Sequence, residues 1–486
     1  MVSKITLEQY LNNISAEEYS LLVMQKNPNV AKIRKDYLIS YLFNNQNSTT
    51  PEFYELFDNA LEGISNDNVG IFSVKTGSKD TIKLFESLSQ YIPESNRKNS
   101  FFRAIISKLV EFSFEEAFDE KYDFFSTIFE YLIKDYNKDF GKYAEYYTPN
   151  SIARIIARIM VPGKAQNVTV YDPAAGSGTL ILALAHQIGE DNCTIYTQDI
   201  SQKSSELLRL NLILNNLVHS LSNVIHGDTL VNPAHLNAEK NRLAQFDYIV
   251  SNPPFKMDFS ETRDLLAGEK YSERFFAGVP KIPNKKKEDM AIYLLFIQHI
   301  LFSLKENGKA AIVVPTGFIT AKNGIEYKIR KYLVDNNYLT GVISMPANIF
   351  ATTNTSVSIL FIDKSIKNEM MIFLDASKCG EKIKEGKNQK IVLKPNETKK
   401  IIEYFINKVE EDKFSSYVSA EEVKENNYSF SAGQYFDVKI EYDDISSSEF
   451  EKNLTNYINK LDELFVENEK MKSILMDSLK KVSKND

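Results

Sequence analysis

Asn252-Pro253-Pro254-Phe255 has the residue types needed to activate a poor nitrogen nucleophile. The lone pair of an amine on an aromatic base is delocalised into the ring, so the nitrogen attacks weakly. An Asn side-chain carbonyl and a Pro backbone carbonyl can accept its two N–H bonds. That draws the nitrogen towards tetrahedral geometry and localises the lone pair. Two prolines stiffen the loop and pre-position the acceptors. A Phe ring can stack on the base and favour positive charge growing on the nitrogen. Read alone, the same four residues are also a proline-rich turn that closes a strand.

Asp172-Pro173-Ala174-Ala175-Gly176-Ser177-Gly178 offers a second kind of chemistry. Small residues let backbone approach a ligand closely, or simply make a tight strand-to-helix turn. The Gly-Lys-Ser or Gly-Lys-Thr of a phosphate loop does not follow. Asp199 comes 27 residues after Asp172. An acidic residue there accepts hydrogen bonds from ribose hydroxyls, or caps the next helix. Asp228, after Gly227, is placed to accept from an adenine amine, or to sit in an ordinary turn. A ribose site without a phosphate loop, beside an amine-activating loop, favours S-adenosylmethionine over ATP or NAD. Upstream, Tyr146-Tyr147-Thr148-Pro149 precedes a helix with Ile152, Ile155, Ile156 and Ile159 on one face. Thr148 suits the N-cap and Pro149 the first helical position. Functionally, that helix start belongs against the methionine end of the cofactor.

These residues need a scaffold that brings them together. Short apolar runs at 168–171, 194–197, 224–225 and 248–250 end at or just before Asp172, Asp199, Asp228 and Asn252, with helical patterns at 180–188 and 207–217 between them. Further strands are expected at 310–314, 341–345 and 356–362, with a helix at 291–304. Strands alternating with helices imply a mainly parallel, doubly wound α/β sheet, which binds ligands at the carboxyl ends of its strands. Residues 1–140 read as a helical domain without good alternating strands, with Phe101, Ile105, Leu109 and Phe112 at helical spacing. Residues 141–365 form the sheet domain and 366–445 an extension, polar and turn-rich at 380–387. From 446 one long helix is expected. Leu454, Leu461, Asn468, Leu475 and Val482 recur every seven residues, and Tyr457, Leu464 and Met471 fill a second seam, as in a coiled coil.

Composition fits this plan. The 486 residues are 43% hydrophobic and 25% charged, which is globular and has room for about three domains. No apolar run of about 18 residues spans a membrane. Cys193 and Cys379 are far apart, and the five histidines show no metal spacing, so no metal site is expected. The lack of a signal-peptide core and the few cysteines make a reducing cytoplasm the expected compartment. A net charge of −7 argues against gripping nucleic acid over the whole surface, though a local basic patch remains open.

The two loops resemble the cofactor and catalytic motifs of N6-adenine DNA methyltransferases, in the gamma order because Tyr146-Tyr147-Thr148-Pro149 comes first. The chain more closely resembles the modification (methyltransferase) subunit of type I restriction–modification systems. Met290-Ala291-Ile292-Tyr293 through His299, Leu304-Lys305-Glu306-Asn307-Gly308, Ala311-Ile312-Val313-Val314-Pro315 and Ser431-Ala432-Gly433-Gln434-Tyr435 carry that likeness, over about residues 100–480. The resemblance implies a Rossmann-like S-adenosylmethionine-dependent methyltransferase sheet with an N-terminal helical domain and a C-terminal helical tail. It implies methyl transfer to the N6 amine of a flipped adenine, with Asn252, Pro253, Pro254 and Phe255 catalytic. Cofactor contacts map onto Glu145, Tyr146, Tyr147, Thr148, Pro149, Asn150, Ser177, Gly178, Thr179 and Asp199, alongside Asp172, Ala174, Gly176 and Asp228 from the residue reading. Glu145 stands where the family often has Gln or Arg, and Asp199 where it usually has Glu. The implied partners are DNA and a DNA-specificity subunit that takes two copies of this chain, with a restriction subunit able to join. The stretch after Asp363 is short for a recognition domain of its own. The insertion at 257–289, with Lys281 and Lys285-Lys286-Lys287, reads as a loop facing DNA or a partner, or as a solvated charge run. Two other readings stand beside this one: methylation of a protein glutamine amide, whose loop usually ends in Tyr, and a non-catalytic scaffold.

Overall fold

The computed structural model describes residues 33–69, 74–75, 81–82, 85–111, 148–350, 356–365, 369–385, 388–436 and 446–482. Its contacts divide the chain into residues 1–436 and 437–486. The first unit begins with helices α1 (Ile39–Asn44), α2 (Phe53–Asp67) and α3 (Ser95–Glu111). They share a small core of Tyr37, Leu42, Phe53, Phe57, Phe102 and Ile106. On α3 Phe102 and Ile106 are buried, the expected Ile105 and Leu109 pack partly buried against the same core, and the expected Phe101 is exposed; Phe112 lies outside the described residues. Two very short strands also lie before residue 140. Strands β1 (Val74–Lys75) and β2 (Thr81–Ile82) pair antiparallel. At two residues each they are too short to show an alternating pattern.

The sheet domain follows: α4 (Asn150–Met160), β3 (Val168–Asp172), α5 (Thr179–Ile188), β4 (Cys193–Asp199), α6 (Gln202–Leu214), β5 (Val224–His226) and β6 (Phe246–Ser251). Then come α7 (Tyr293–Ser303), β7 (Leu304–Pro315), α8 (Gly324–Asp335), β8 (Leu339–Ser344), β9 (Val357–Asp363) and β10 (Met370–Asp375). Beyond them lie a hairpin of β11 (Glu381–Glu385) and β12 (Asn388–Val392), then α9 (Pro395–Asn407), β13 (Ser415–Ser419) and α10 (Ala420–Glu425). The hairpin occupies the stretch expected to be turns. Eleven strands form one sheet in the order β13-β10-β8-β9-β7-β6-β3-β4-β5-β1-β2. Its centre is parallel, as the alternation of strands and helices requires. Strand β9 is inserted antiparallel between β7 and β8. It is buried along its whole length, so its sequence carries no alternation.

Each face of the sheet has its own core. Val170 and Ile195 face α4, α5, α6 and α9 through Ile155, Leu184, Leu208 and Phe405. Tyr171 and Ile249 face α7, α8 and α10 through Ile297, Leu333 and Val423. At the amino end of the parallel strands, Asp247 Oδ2 accepts from Thr169 N at 2.9 Å, Thr169 Oγ1 at 2.8 Å and Lys305 Nζ at 2.8 Å. Arg330 of α8 is buried and donates to the carbonyls of Phe318, Ala321 and Tyr428. It fastens the segment after α10 to the exit of β7.

The second unit contains α11 (Ser447–Val482), a helix of 36 residues. Leu454, Tyr457, Leu461, Leu464, Met471 and Leu475, from both expected seams, are exposed. Among the described residues no helix is long and apolar enough to cross a membrane, and no His, Cys, Asp and Glu side chains group to hold a metal ion.

Candidate active site

Chain order reverses between β3 and β6. From β3 the sheet grows outward through β4 and β5, and from β6 through β7. Such a reversal leaves a crevice at the carboxyl ends of the two central strands. Register brings Tyr171 beside Ile249, so the Asp172 and Asn252 loops leave the sheet side by side. Thr148, Asp172, Ala174, Ala175, Ser177, Thr179, Leu180 and Asn252 line one small pocket there.

Thr148 sets the direction of the Asn252 amide. Asn252 Nδ2 donates to Thr148 Oγ1 at 3.1 Å, which leaves Oδ1 without a donor among the described residues. Thr148 is only 5% exposed, so solvent competes little for this bond. Helix α4 begins at Asn150, with Pro149 as its flanking residue and no side-chain cap. The expected N-cap at Thr148 and first helical position at Pro149 are therefore each displaced by one residue. The hydroxyl that would have capped the helix is bonded to Asn252 instead.

Asp172 ends β3 at 2% exposure. Its Oδ1 accepts from Ala174 N at 3.0 Å and from Ser251 Oγ at 2.9 Å. Burial pushes its carboxyl up to about 7, against the pull of those two donors and with the help of the nearby Asp199 charge. Asp199 Oδ2 accepts from Gly176 N at 2.9 Å and Oδ1 from Ser201 N at 2.7 Å. Burial raises this carboxyl too, and the two backbone donors and His226 pull the other way. Neither carboxylate pairs with a Lys or Arg among the described residues. The two sit in a poorly solvated crevice that disfavours their charged forms.

The small-residue loop is built around Gly178. Its φ of +95° suits glycine, and a Cβ there would overlap the Leu208 side chain. Asn211 Nδ2 holds Ser177 O at 2.9 Å, and Thr229 Oγ1 holds Pro173 O at 2.7 Å. Asp228 lies outside the pocket lining. Its Oδ1 accepts from Leu230 N at 2.8 Å and Val231 N at 3.0 Å, as in an ordinary aspartate turn. Pro253 is buried and Pro254 partly so. Phe255 is half-buried and meets Tyr293 edge-on, with ring centroids 6.3 Å apart. Glu145, Tyr146 and Tyr147 lie outside the described residues. Ser251, Thr229 and Asn211 escape a reading of the sequence. Only the position of Ser251, next to Asn252 at a strand end, could have signalled its part.

The model of the N-6 DNA methylase family matches residues 120–444. The methylase subunit of the type I restriction enzyme MpnII from Mycoplasma pneumoniae is 32% identical over 346 residues, which cover 68% of this chain and 60% of that protein. This chain therefore spans less than two thirds of that relative's length. The methylase subunit of the type I restriction enzyme MjaIX from Methanocaldococcus jannaschii is 25% identical over 462 residues, 92% of this chain and 75% of that protein. In fold, the chain is similar to the crystal structure of a type I restriction–modification methyltransferase subunit from Streptococcus thermophilus. Its TM-score is 0.67 at 23% identity, with 88% of this chain and 86% of that one covered. The family match takes in the Thr148 helix, the sheet from β3 to β13, and both the Asp172 and Asn252 loops: the chain belongs to the N-6 DNA methylase family.

Proposed function

We propose that this chain transfers a methyl group from S-adenosylmethionine to the N6 amine of an adenine flipped out of DNA, as the methyltransferase subunit of a type I restriction–modification complex. The observation that carries this reading is the Thr148–Asn252 hydrogen bond in a pocket shared with Asp172. Fixing Nδ2 commits Oδ1 to accepting, which is what a target amine requires. Pro253 O is the second acceptor, and Phe255, braced by Tyr293, is the ring on which the base stacks. An acceptor fixed in advance in a closed site does not have to reorganise as charge develops on the nitrogen. The nitrogen gives up its proton after the new bond forms, so the site needs no strong base beforehand.

The donor set fits the cofactor. S-adenosylmethionine supplies an electrophilic methyl carbon on a sulfonium cation. A crevice with one buried and one partly buried carboxyl and no lysine favours a cation and repels the phosphates of ATP or NAD. The strip from Glu145 through Tyr146, Tyr147, Thr148 and Pro149 to Asn150 would hold the methionine end. Asp172, Ala174, Gly176, Ser177, Gly178 and Thr179 would wall the middle, and Asp228 would meet the adenine. Each Asp199 oxygen has accepted one backbone N–H and keeps a lone pair for a ribose hydroxyl. The family match weighs against a protein glutamine amide as acceptor, and the assembled pocket against a pure scaffold.

This reading includes DNA, a specificity subunit bound by two copies of the chain, and a restriction subunit able to join them. The exposed seams of α11 suit contact with another subunit. The test is calorimetry with S-adenosylmethionine and transfer of labelled methyl to duplex DNA, each with and without a specificity subunit. Cofactor binding by the chain alone and adenine methylation only in the complex are expected. Binding without transfer in either case would leave the scaffold, and efficient sequence-specific methylation by the chain alone would remove the partner.

A further inference from the structure

A groove of about 1310 Å³ lies apart from the Thr148–Asn252 pocket and shares no lining residue with it. It is formed by the loop 231–245 between β5 and β6, residues 270–276 of the insertion, the flanks of α7 and α8 at Phe302 and Tyr332, and Lys364. Lys240, Arg242 and Lys270 stand exposed around it, and none forms an ion pair among the described residues. Deeper in, Arg274 is 4% exposed. Its guanidinium donates to Leu230 O, while Nε and Nη1 have no partner. Burial lowers its pKa to about 10, so it stays charged at neutral pH. Lys364 also lines the groove, but its ammonium is committed to the carbonyls of Leu301 and Leu304 at the end of α7. Glu273 is the single carboxylate among the lining residues. Three exposed cations thus face one acid, with the buried Arg274 charge behind them, in a chain of net charge −7.

Charge alone would suit any polyanion. The aromatic side chains narrow the choice. Phe276 is 40% exposed and rests on Tyr332, with ring centroids 4.4 Å apart and planes at 39°. Tyr271 lies under Lys270 and Arg274, with the cations 5.3 Å and 5.0 Å from its ring centre. Cations spaced along a groove with an exposed ring among them match a phosphodiester strand with unpaired bases. An acidic polypeptide has no use for the ring, and a duplex keeps its bases stacked away from it. We infer that this groove binds a single nucleic-acid strand, with phosphates on Lys240, Arg242 and Lys270, the buried Arg274 charge adding to the attraction, and a base on Phe276. The inference concerns binding and stands whether or not the chain methylates adenine.

Fluorescence anisotropy on the full chain tests it, without cofactor and over a range of salt. The probes are labelled oligothymidylate, oligouridylate and mixed-sequence duplex of about 20 units, enough to cross one such site. Single strands should bind more tightly than duplex. The triple variant Lys240→Gln, Arg242→Gln, Lys270→Gln should lose about tenfold or more, and its slope of log affinity against log salt should become shallower by about 2, at about 0.7 per phosphate on a single strand. Phe276→Ala should weaken single-strand binding by about fivefold to a hundredfold and leave the salt slope unchanged, as loss of one stacked base requires. A preference between the two oligonucleotides would name the source as DNA or RNA, and equal affinity would assign recognition to the strand chemistry common to both. S-adenosylmethionine affinity by calorimetry should match the parent in every variant. Unchanged affinity and slope in the triple variant would overturn the inference. So would equal losses on duplex and single strands, or a polyglutamate probe that binds the groove while oligonucleotides do not.

Discussion

The two ends of the same sheet treat their carboxylates in opposite ways. At the amino end, Asp247 has Lys305 at 2.8 Å and two bonds from Thr169. Burial alone would raise its pKa, but these donors outweigh it and hold the carboxyl below its usual value. Asp363, nearby on β9, has Lys309 at 3.2 Å. At the carboxyl end, Asp172 is buried and Asp199 partly so; both receive only neutral donors and both are raised. Structural carboxylates here complete their charge within the chain. The crevice carboxylates leave theirs to be completed by something else, at a cost to the folded state. A site that awaits a cation is expected to look like this.

Five experiments would break or sharpen that contrast. Asn252→Ala should cost about 100-fold or more in methyl transfer, the scale for losing one fixed hydrogen-bonding group in a closed site. Cofactor affinity should be nearly unchanged, and near-parental turnover in a reconstituted assay would remove the assigned role. Asp199→Ala should weaken S-adenosylmethionine by roughly 1.5–3 kcal/mol, as for a hydrogen bond to a charged group. Equal affinities by calorimetry would sink the ribose assignment. Thr148→Val should lower kcat about tenfold by freeing the Asn252 amide to turn, the scale of one modest hydrogen bond. Thr148→Ser should restore it, and a serine variant no better than valine would mean the hydroxyl does not orient Asn252.

The fourth experiment uses pH. A carboxyl raised in the folded state keeps a proton that the unfolded chain has already lost. Asp172 therefore contributes stability that is complete below about pH 4 and is lost as pH rises towards its folded value of about 7. Asp172→Asn keeps an acceptor for Ala174 and Ser251, so its melting temperature should exceed the parent's above pH 7 and approach it near pH 4. Parallel melting curves across that window would contradict the burial argument. Asp247, lowered in the folded state, has the opposite sign: its contribution is present at neutral pH and is lost as pH falls through its folded value. The smallest effect should come from Lys305→Ala, about 1 kcal/mol or less, because the lysine is 37% exposed and screened by water. A change in cofactor affinity in that variant would show that the two ends are not independent.

How much of this could be read beforehand depends on the range of each interaction. A buried parallel strand is an apolar run that stops at a polar residue, so Asp172, Asp199 and Asn252 stand out in the sequence with their strands attached. The side-chain bonds that finish the site do not. Thr148 reaches Asn252 across 104 positions, and Ser251 reaches Asp172 across 79. Asp228 shows the reverse case, because its turn is local: Oδ1 makes the turn bonds its neighbours announce, while Oδ2 accepts none among the described residues. The antiparallel direction of β9 is set by its neighbours in the sheet, and a strand buried on both faces has no pattern to reveal it. The basic groove draws on widely separated stretches of the chain. The lysines singled out in the insertion, Lys281 and Lys285 to Lys287, do not line it, while Lys270 and Arg274 do.

Arg330 bears on where this chain can be cut. Its guanidinium is buried, and one of its three carbonyl acceptors belongs to Tyr428. A shortened protein that ended with α10 would keep every strand of the sheet and still leave a charged side chain inside with part of its hydrogen bonding gone. The rings of Phe430 and Tyr435, packed 5.9 Å and 5.2 Å from Phe373, would be lost with it. The sheet domain is finished by a loop rather than by its last strand. Anyone trimming the chain for crystals, or fusing another protein to it, has a boundary after Phe436, where the first unit ends, and none within the preceding ten residues.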